Sequence, residues 1–246
     1  LVKDWIIAEK FIPLEQYEFI YSTPLIEILV THLTDLSLIK SPKMLLNILQ
    51  IVSNLTAFTA PDVSAFLNET LLKNYTSFLS HENPEISKFT LVILSQLLDK
   101  EPTLMDYFNS INLYEQLISN FLTSDHHYIS GVSCFMLCQF VYLNNDNSAS
   151  IFPILFQFVS NGDIHAVSKL FQSFLFFSQK SPEFLLSLIS CEFCQLSAIT
   201  LSNTASNSSG IALSIFSILH LVATSDIGIQ SIQSANIIHA IIEFNY

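Results

Sequence analysis

Four cysteines are the residues of this 246-residue chain whose type and spacing come closest to a chemical site. Cys191 and Cys194 form a CxxC pair, and Cys134 and Cys138 form a CxxxC pair. Four thiolates can hold a tetrahedral zinc ion, so a zinc or redox site is one interpretation. The second pair lies one helical turn apart in an apolar segment, where small thiols are ordinary core residues. We therefore favour four free thiols in a reducing compartment.

The other candidates for chemistry are weaker. His126 and His127 follow Asp125, where metal binding competes with the simpler interpretation of a solvated turn, and the remaining histidines are scattered singly. The four glycines are isolated, which excludes a phosphate-binding glycine loop, and no nucleophile elbow or HExxH motif is present. We expect no catalytic residue, no metal site, no cofactor and no small-molecule substrate, and therefore a protein that is not an enzyme.

The charge of the chain limits the kinds of partner it can bind. All nine basic residues are Lys, and 21 acidic residues leave a formal net charge of −12. Nucleic acids are bound mainly by neutralising phosphates with Lys and Arg, so we expect no nucleic-acid partner. If electrostatics contribute to binding, they favour a protein with basic segments. The alternative is that the charge only confers solubility.

The apolar content raises the question of a membrane, since half of the residues are hydrophobic. Residues 193–225 carry no formal charge, and no Lys follows Lys180 to mark a cytoplasmic loop. Polar residues interrupt the apolar runs at helical spacing, and none reaches the roughly 18 consecutive apolar residues of a span. We expect no membrane partner, and a location in the cytoplasm, the nucleus or both.

Two apolar blocks recur in alternation along the chain, which indicates a repeat architecture. The second block runs through 44–59, 86–101, 128–143, 165–180 and 209–224, and the first block begins at 24, 70, 113, 150, 192 and 236. Successive starts lie 37 to 46 residues apart, and both series shorten at the same repeat. In the second block apolar residues recur three and four positions apart, which predicts helices. They are Leu45, Ile48, Leu49, Val52 and Leu55.

The breaks between blocks carry helix-start signals. Ser41-Pro42 and Asn83-Pro84 each place a capping side chain before a Pro at the first helical position. Asn161-Gly162-Asp163 is a turn with a potential cap. The segments 102–109, 182–189 and 226–234 each lie between a second block and the next first block, and we expect a short helix in each. This gives three helices per repeat, one short and two long.

The octad from Ile48 to Leu55 (ILQIVSNL) is similar to the third helix of an armadillo repeat, and the whole chain resembles an armadillo- or HEAT-like α-solenoid. The resemblance implies an all-α, right-handed α-α superhelix of about five to six degenerate repeats. We expect one domain over 1–246, with repeats at 1–59, 60–101, 102–143, 144–180 and 181–224 and a partial repeat at 225–246. In that family a Gly usually separates the first two helices, and this chain has none there.

In the armadillo family the third helix lines a concave groove, and an Asn there often holds an extended peptide backbone. Asn54 occupies that place, and Gln96 follows at the same offset one repeat later. The next equivalents are Cys138, Leu175 and Leu219, so the chain has no Asn ladder.

A polar stripe is the binding feature that the sequence predicts. It consists of Lys43, Asn47, Gln50 and Asn54 at i, i+4, i+7 and i+11, with Glu85, Lys88 and Gln96 at related places in the next repeat. We expect these seven residues to bind a partner, the alternative being a merely solvated face. In later repeats the corresponding positions turn apolar or small, so those helices are either buried on most sides or expose an apolar patch. These positions are Cys134, Phe171, Leu175, Ala212 and Ile215.

The repeat period and the missing catalytic motifs together predict a non-catalytic scaffold or adaptor. It would bind a peptide or a helix along its concave groove. The alternative function, by analogy of fold alone, is a nuclear transport receptor or adaptor, or a phosphatase-type regulatory subunit.

Overall fold

Helices make up 85% of the structure, and no strand occurs in the residues that it describes. The structure, a computed structural model, describes residues 24–57, 63–124, 126–160, 162–203 and 209–244. These residues form fourteen α-helices. They are α1 (Leu25–Thr34), α2 (Pro42–Ala57), α3 (Glu69–Phe78), α4 (Pro84–Lys100), α5 (Leu104–Ser110), α6 (Leu113–Thr123), α7 (His127–Leu143), α8 (Ser148–Val159), α9 (Ile164–Lys180), α10 (Pro182–Ser190), α11 (Phe193–Asn203), α12 (Ser209–Val222), α13 (Asp226–Ser234) and α14 (Ile237–Phe244). Short 3-10 helices occupy Leu36–Leu38, Val63–Phe66 and Asn145–Asn147.

The order of helix lengths follows the predicted repeat. The second blocks form the long helices α2, α4, α7, α9 and α12, and the first blocks form α1, α3, α6, α8, α11 and α14. Short helices α5, α10 and α13 occupy the three segments predicted to hold them. The all-α fold class is therefore confirmed. The start of the first predicted repeat, residues 1–23, and Asp125 lie outside the described residues.

Two compact units divide the chain. Unit 1 is Leu1–Leu113 and unit 2 is Tyr114–Tyr246. In unit 1 the long helices α2 and α4 pack against each other, and in unit 2 α9 packs against both α7 and α12. The organisation of residues 1–246 as one domain stays a prediction.

Polar side chains begin the helices at the predicted places. The Met44 amide donates to Ser41 Oγ over 3.2 Å, and the Glu85 amide donates to Asn83 Oδ1 over 3.0 Å. At α9, Asp163 Oδ1 accepts from the His165 amide at 2.9 Å and the Ala166 amide at 3.2 Å. Each bond satisfies a backbone donor that has no partner within its own helix.

Neighbouring repeats of unit 1 are joined by polar as well as apolar contacts. Leu29 and Leu33 of α1 and Tyr75 of α3 are buried. Asn74 Nδ2 of α3 donates over 2.7 Å to the carbonyl oxygen of Leu33, at the end of α1. The bond joins residues 41 positions apart, one repeat length, and satisfies a carbonyl at a helix end.

Aromatic rings dominate the core of unit 2. Phe152 meets Phe174 and Phe184 edge to face, with ring centroids 5.9 and 5.4 Å apart. Phe174 meets Phe193 edge to face at 6.1 Å, so rings from four consecutive helices of unit 2 form one cluster. Such pairs favour this tilted geometry because ring edges are positive and ring faces negative.

Among the residues that the structure describes, three that are not glycine adopt the left-handed backbone conformation: Asn112 (φ 53°), Glu192 (φ 69°) and Asn236 (φ 53°). Each lies between a short helix and the following first-block helix, where the armadillo family usually has a Gly. Asn tolerates this conformation better than other L residues, whereas Glu has no such advantage. The chain therefore makes the turn without glycine, and Glu192 bears the largest conformational cost of the three.

No single helix in the described ranges is long and apolar enough to cross a membrane. The pair α10 and α11, bent by 72° at the break between them, jointly reaches the length and composition of a span.

Candidate functional site

The polar stripe of α2 lies on the surface of unit 1. Lys43 and Asn47 are exposed, and Gln50 and Asn54 are half-buried. The opposite side of the helix is buried through Leu45, Leu49 and Val52, because these residues face the core. Within the described part of the chain, no hydrogen bond engages the side-chain amides of Asn47, Gln50 or Asn54. Each amide can both donate and accept, as a peptide backbone requires of its partner.

Apolar side chains border the stripe on both sides. Ile51 is 40% exposed on one side, and Leu46 is half-buried on the other. Ile51 is not among the binding residues predicted from the sequence, because that prediction rests on polar residues at helical spacing. The helical period itself places residue 51 four positions from Asn47 and three from Asn54, on adjacent turns. The surface of α2 therefore offers amides in the middle and apolar contacts at the edges.

Glu85 and Lys88 form a paired group at the start of α4. Lys88 Nζ lies 3.0 Å from Glu85 Oε2, with side-chain exposures of 23% and 46%. Lys88 Nζ also lies 5.0 Å from the centroid of the Phe89 ring. The two charges largely cancel, so α4 adds little net charge to the surface of unit 1.

Gln96 is buried, unlike the other predicted binding residues. Its side chain is 6% exposed, and its Oε1 accepts a hydrogen bond from Thr56 Oγ1 of α2 at 2.5 Å. The prediction placed Gln96 on an open face, because it has the same offset in its repeat as Asn54. The packing of α4 against α2 instead buries the position, and we leave Gln96 out of the proposed binding surface.

The corresponding positions in unit 2 are mostly core. Cys134, Phe171, Ala212 and Ile215 are buried, and Leu175 is half-buried. Burial, the first of the two alternatives that the sequence left open, therefore holds at four of these five positions.

The four cysteines have the properties of core thiols. Cys134, Cys138 and Cys194 are buried and Cys191 is half-buried, and all four are free. Burial raises the pKa of Cys134 to about 12 and raises the pKa of Cys138, Cys191 and Cys194 as well. Thiolates are the nucleophilic and metal-binding form, so this environment disfavours both roles.

Two histidines that are far apart in the sequence come together at the start of α7 and α9. The ring centroids of His127 and His165 are 5.4 Å apart. No cluster was predicted for His165 from the sequence, although its distance of 38 residues from His127 is close to one repeat. In the described ranges, no group of three or more His, Cys, Asp or Glu residues is placed to hold a metal ion.

Comparison with known proteins identifies the fold. No protein-family model matches the sequence, and no curated protein matches it. The chain is similar to a designed armadillo repeat protein, YIII(Dq)4CqI. The match covers 87% of this chain and 90% of the designed protein, at TM-score 0.63 and 11% identity. A designed armadillo repeat protein solved in complex with the peptide (KR)4 matches over 89% of both chains, at TM-score 0.59 and 9% identity. An engineered protein also matches over 89% of both chains, at TM-score 0.60 and 12% identity.

These likenesses define the class of protein. The chain has the armadillo-like α-solenoid fold that the resemblance implied. Sequence identities of 9 to 12% carry the fold and not a particular function.

Proposed function

We propose that the protein is a non-catalytic scaffold that binds a peptide segment of a partner protein on the surface of unit 1. The observation that carries the proposal is the α2 stripe, where the amides of Asn47, Gln50 and Asn54 lie between apolar borders. Extended peptides need backbone hydrogen-bond partners and shallow apolar contacts, and such a surface supplies both.

A partner with basic segments suits the charge of the chain. The charges of α4 largely cancel locally, so any attraction comes from the net charge of −12 over the whole protein. Such attraction acts over a Debye length of about 8 Å at physiological ionic strength and speeds encounter more than it tightens contact. The designed armadillo protein solved with (KR)4 is a precedent for a basic peptide on this fold.

Titration of the protein with fluorescently labelled (KR)4, followed by anisotropy, tests the proposal. Replacing Asn47 and Asn54 together by Ala removes two amides, each worth about 0.5–1.5 kcal/mol, so binding should weaken roughly fivefold or more. Raising the salt concentration should weaken binding to the wild type.

The matched control is Asn109→Ala with Asn203→Ala, which removes two exposed amides that belong to other helices, α5 and α11. This pair should leave affinity unchanged. Equal weakening by both pairs, or no binding by the wild type at low salt, would overturn the proposal.

A further inference from the structure

The C-terminal ends of α7 and α9 carry a half-exposed aromatic surface in unit 2. Tyr142 is the penultimate residue of α7, and Phe176 lies one turn before the end of α9. Both rings are half-buried, so each keeps part of its surface open to solvent.

Buried rings hold this surface in place. Phe135 and Phe177 are buried beneath it. The Phe176 ring is 5.7 Å from Phe135 and 5.0 Å from Phe177, and the Tyr142 ring is 5.3 Å from Phe177. The aromatic surface is therefore a fixed part of the packed core and not a pair of free side chains.

An ammonium group already occupies the surface. Lys180, the last residue of α9, places its Nζ 4.4 Å from the centroid of Phe176 and 5.9 Å from that of Tyr142. Aromatic faces attract cations at these distances. The C-terminal ends of two packed helices add partial negative charge at the same place. Both effects favour any cation here, whether it belongs to this chain or to another.

We propose that Tyr142 and Phe176 bind a Lys or Arg side chain of a partner protein, and that Lys180 occupies this cation site in the free protein. Lys180 is the last residue of α9 and is exposed, so a partner's cation can reach the same rings and replace its ammonium group there. Two half-open rings do not enclose a small amine, and a cation held by a longer segment suits them better. The inference rests on the proposed function for the nature of the partner, but it uses residues of unit 2 and not the α2 stripe.

Replacement of Lys180 and Phe176, separately and together, tests the site with (KR)4 as the probe. Lys180→Ala vacates the surface and should tighten binding about two- to fivefold, the strength of one exposed cation–ring contact. Lys73→Ala is the charge-matched control, because Lys73 is exposed and paired with Glu69 in unit 1. Lys73→Ala should tighten binding of (KR)4 less than Lys180→Ala does. In the Phe176→Leu background, Lys180→Ala should bring no gain beyond that of the control.

Displacement can be seen directly by NMR after methylation of the lysines. Ring currents should shift the Lys180 signal in the free protein, and (KR)4 should return it toward the position of a solvated lysine. Thermal unfolding checks that Phe176→Leu remains folded, and Tyr142→Leu is the second variant if it does not.

The outcomes separate this inference from the proposed function. Binding that depends on the stripe while Lys180→Ala behaves like Lys73→Ala would overturn the cation site alone. Tighter binding by Lys180→Ala that depends on Phe176, together with no effect of the stripe variants, would support the cation site and overturn the stripe. No binding by Lys180→Ala at low salt would overturn both.

Discussion

At the scale of single residues, the turns between short and first-block helices show how the chain replaces an expected glycine. Asn112 and Asn236 are of a residue type that accepts positive φ more readily than most, and their identity could have been a signal in the sequence. Glu192 carries no such signal, because nothing in its type favours φ 69°. It lies in the turn between α10 and α11, two helices that contact each other.

We predict that Glu192→Gly is more stable than Glu192→Ala by about 1 kcal/mol. Both variants remove the carboxylate, so their difference isolates the cost of a Cβ at positive φ. Urea unfolding measures it. Ser119 is the control, because it is exposed and lies inside α6. There the order should reverse, and Ser119→Ala should be more stable to unfolding than Ser119→Gly by about 0.5–1 kcal/mol. The same order at both positions would contradict the assigned backbone conformation.

Cysteine burial makes a second prediction at this scale. In the folded protein only Cys191 should react with a disulfide reagent, because Cys134, Cys138 and Cys194 are buried. Its rate should lie below that of a free cysteine at pH 8, since the raised pKa leaves less thiolate, and should keep rising at higher pH. Cys191→Ser should abolish the reaction. Two or more reactive thiols without denaturant would contradict the structure.

At the scale of elements, the helices were predictable and one contact between them was not. Apolar periodicity, Ser41-Pro42 and Asn83-Pro84 located α2 and α4, because helix formation depends on local spacing and capping. The burial of Gln96 depends on the angle at which α4 meets α2. The position of a residue within its repeat does not encode that angle. Asn54 and Gln96 were therefore both predicted to be binding residues, but in the structure Asn54 is half-buried and Gln96 is buried.

The hydrogen bond between Thr56 and Gln96 should couple α2 to α4. Thr56→Val leaves a buried amide without this partner and should cost about 1–3 kcal/mol in unfolding free energy. Adding Gln96→Leu to Thr56→Val should recover part of the lost stability. In a double-mutant cycle measured by urea unfolding, the two substitutions should show a coupling free energy of about 1 kcal/mol.

Thr90→Val is the control for that cycle. Its buried hydroxyl bonds only to the Ile86 carbonyl of its own helix, so its removal should cost less than the loss at Thr56. If the effects of Thr56→Val and Gln96→Leu on the unfolding free energy simply add, the hydrogen bond between the two residues contributes nothing specific to the packing of α2 against α4.

At the scale of the whole molecule, stability in a solenoid is local, because each repeat contacts mainly its neighbours. Thr56→Val should therefore lower hydrogen-exchange protection in α2 and α4 of unit 1 more than in α9 and α12 of unit 2. Mass spectrometry of peptic fragments measures both units in one experiment. A uniform loss of protection would mean that the chain unfolds as a single cooperative body.

The fold could be predicted from the sequence at this scale, and the proposed binding surfaces could be predicted only in part. A period of 37 to 46 residues is a property of the sequence itself and needs no coordinates. The polar residues of α2 followed from the same periodicity, but Ile51 at its edge did not. The rings of Tyr142 and Phe176 come from different repeats, and only the packing of α7 against α9 brings them together under Lys180.

Contact between a peptide and the amides of the α2 stripe is the central proposal, and it can be observed directly. Side-chain amide signals of Asn47, Gln50 and Asn54 can be followed by heteronuclear NMR during titration with (KR)4. We expect these three signals to shift together and to saturate at the peptide concentration where anisotropy saturates, while those of Asn109 and Asn203 stay in place. Unmoved stripe signals in a protein saturated with peptide would contradict the proposal.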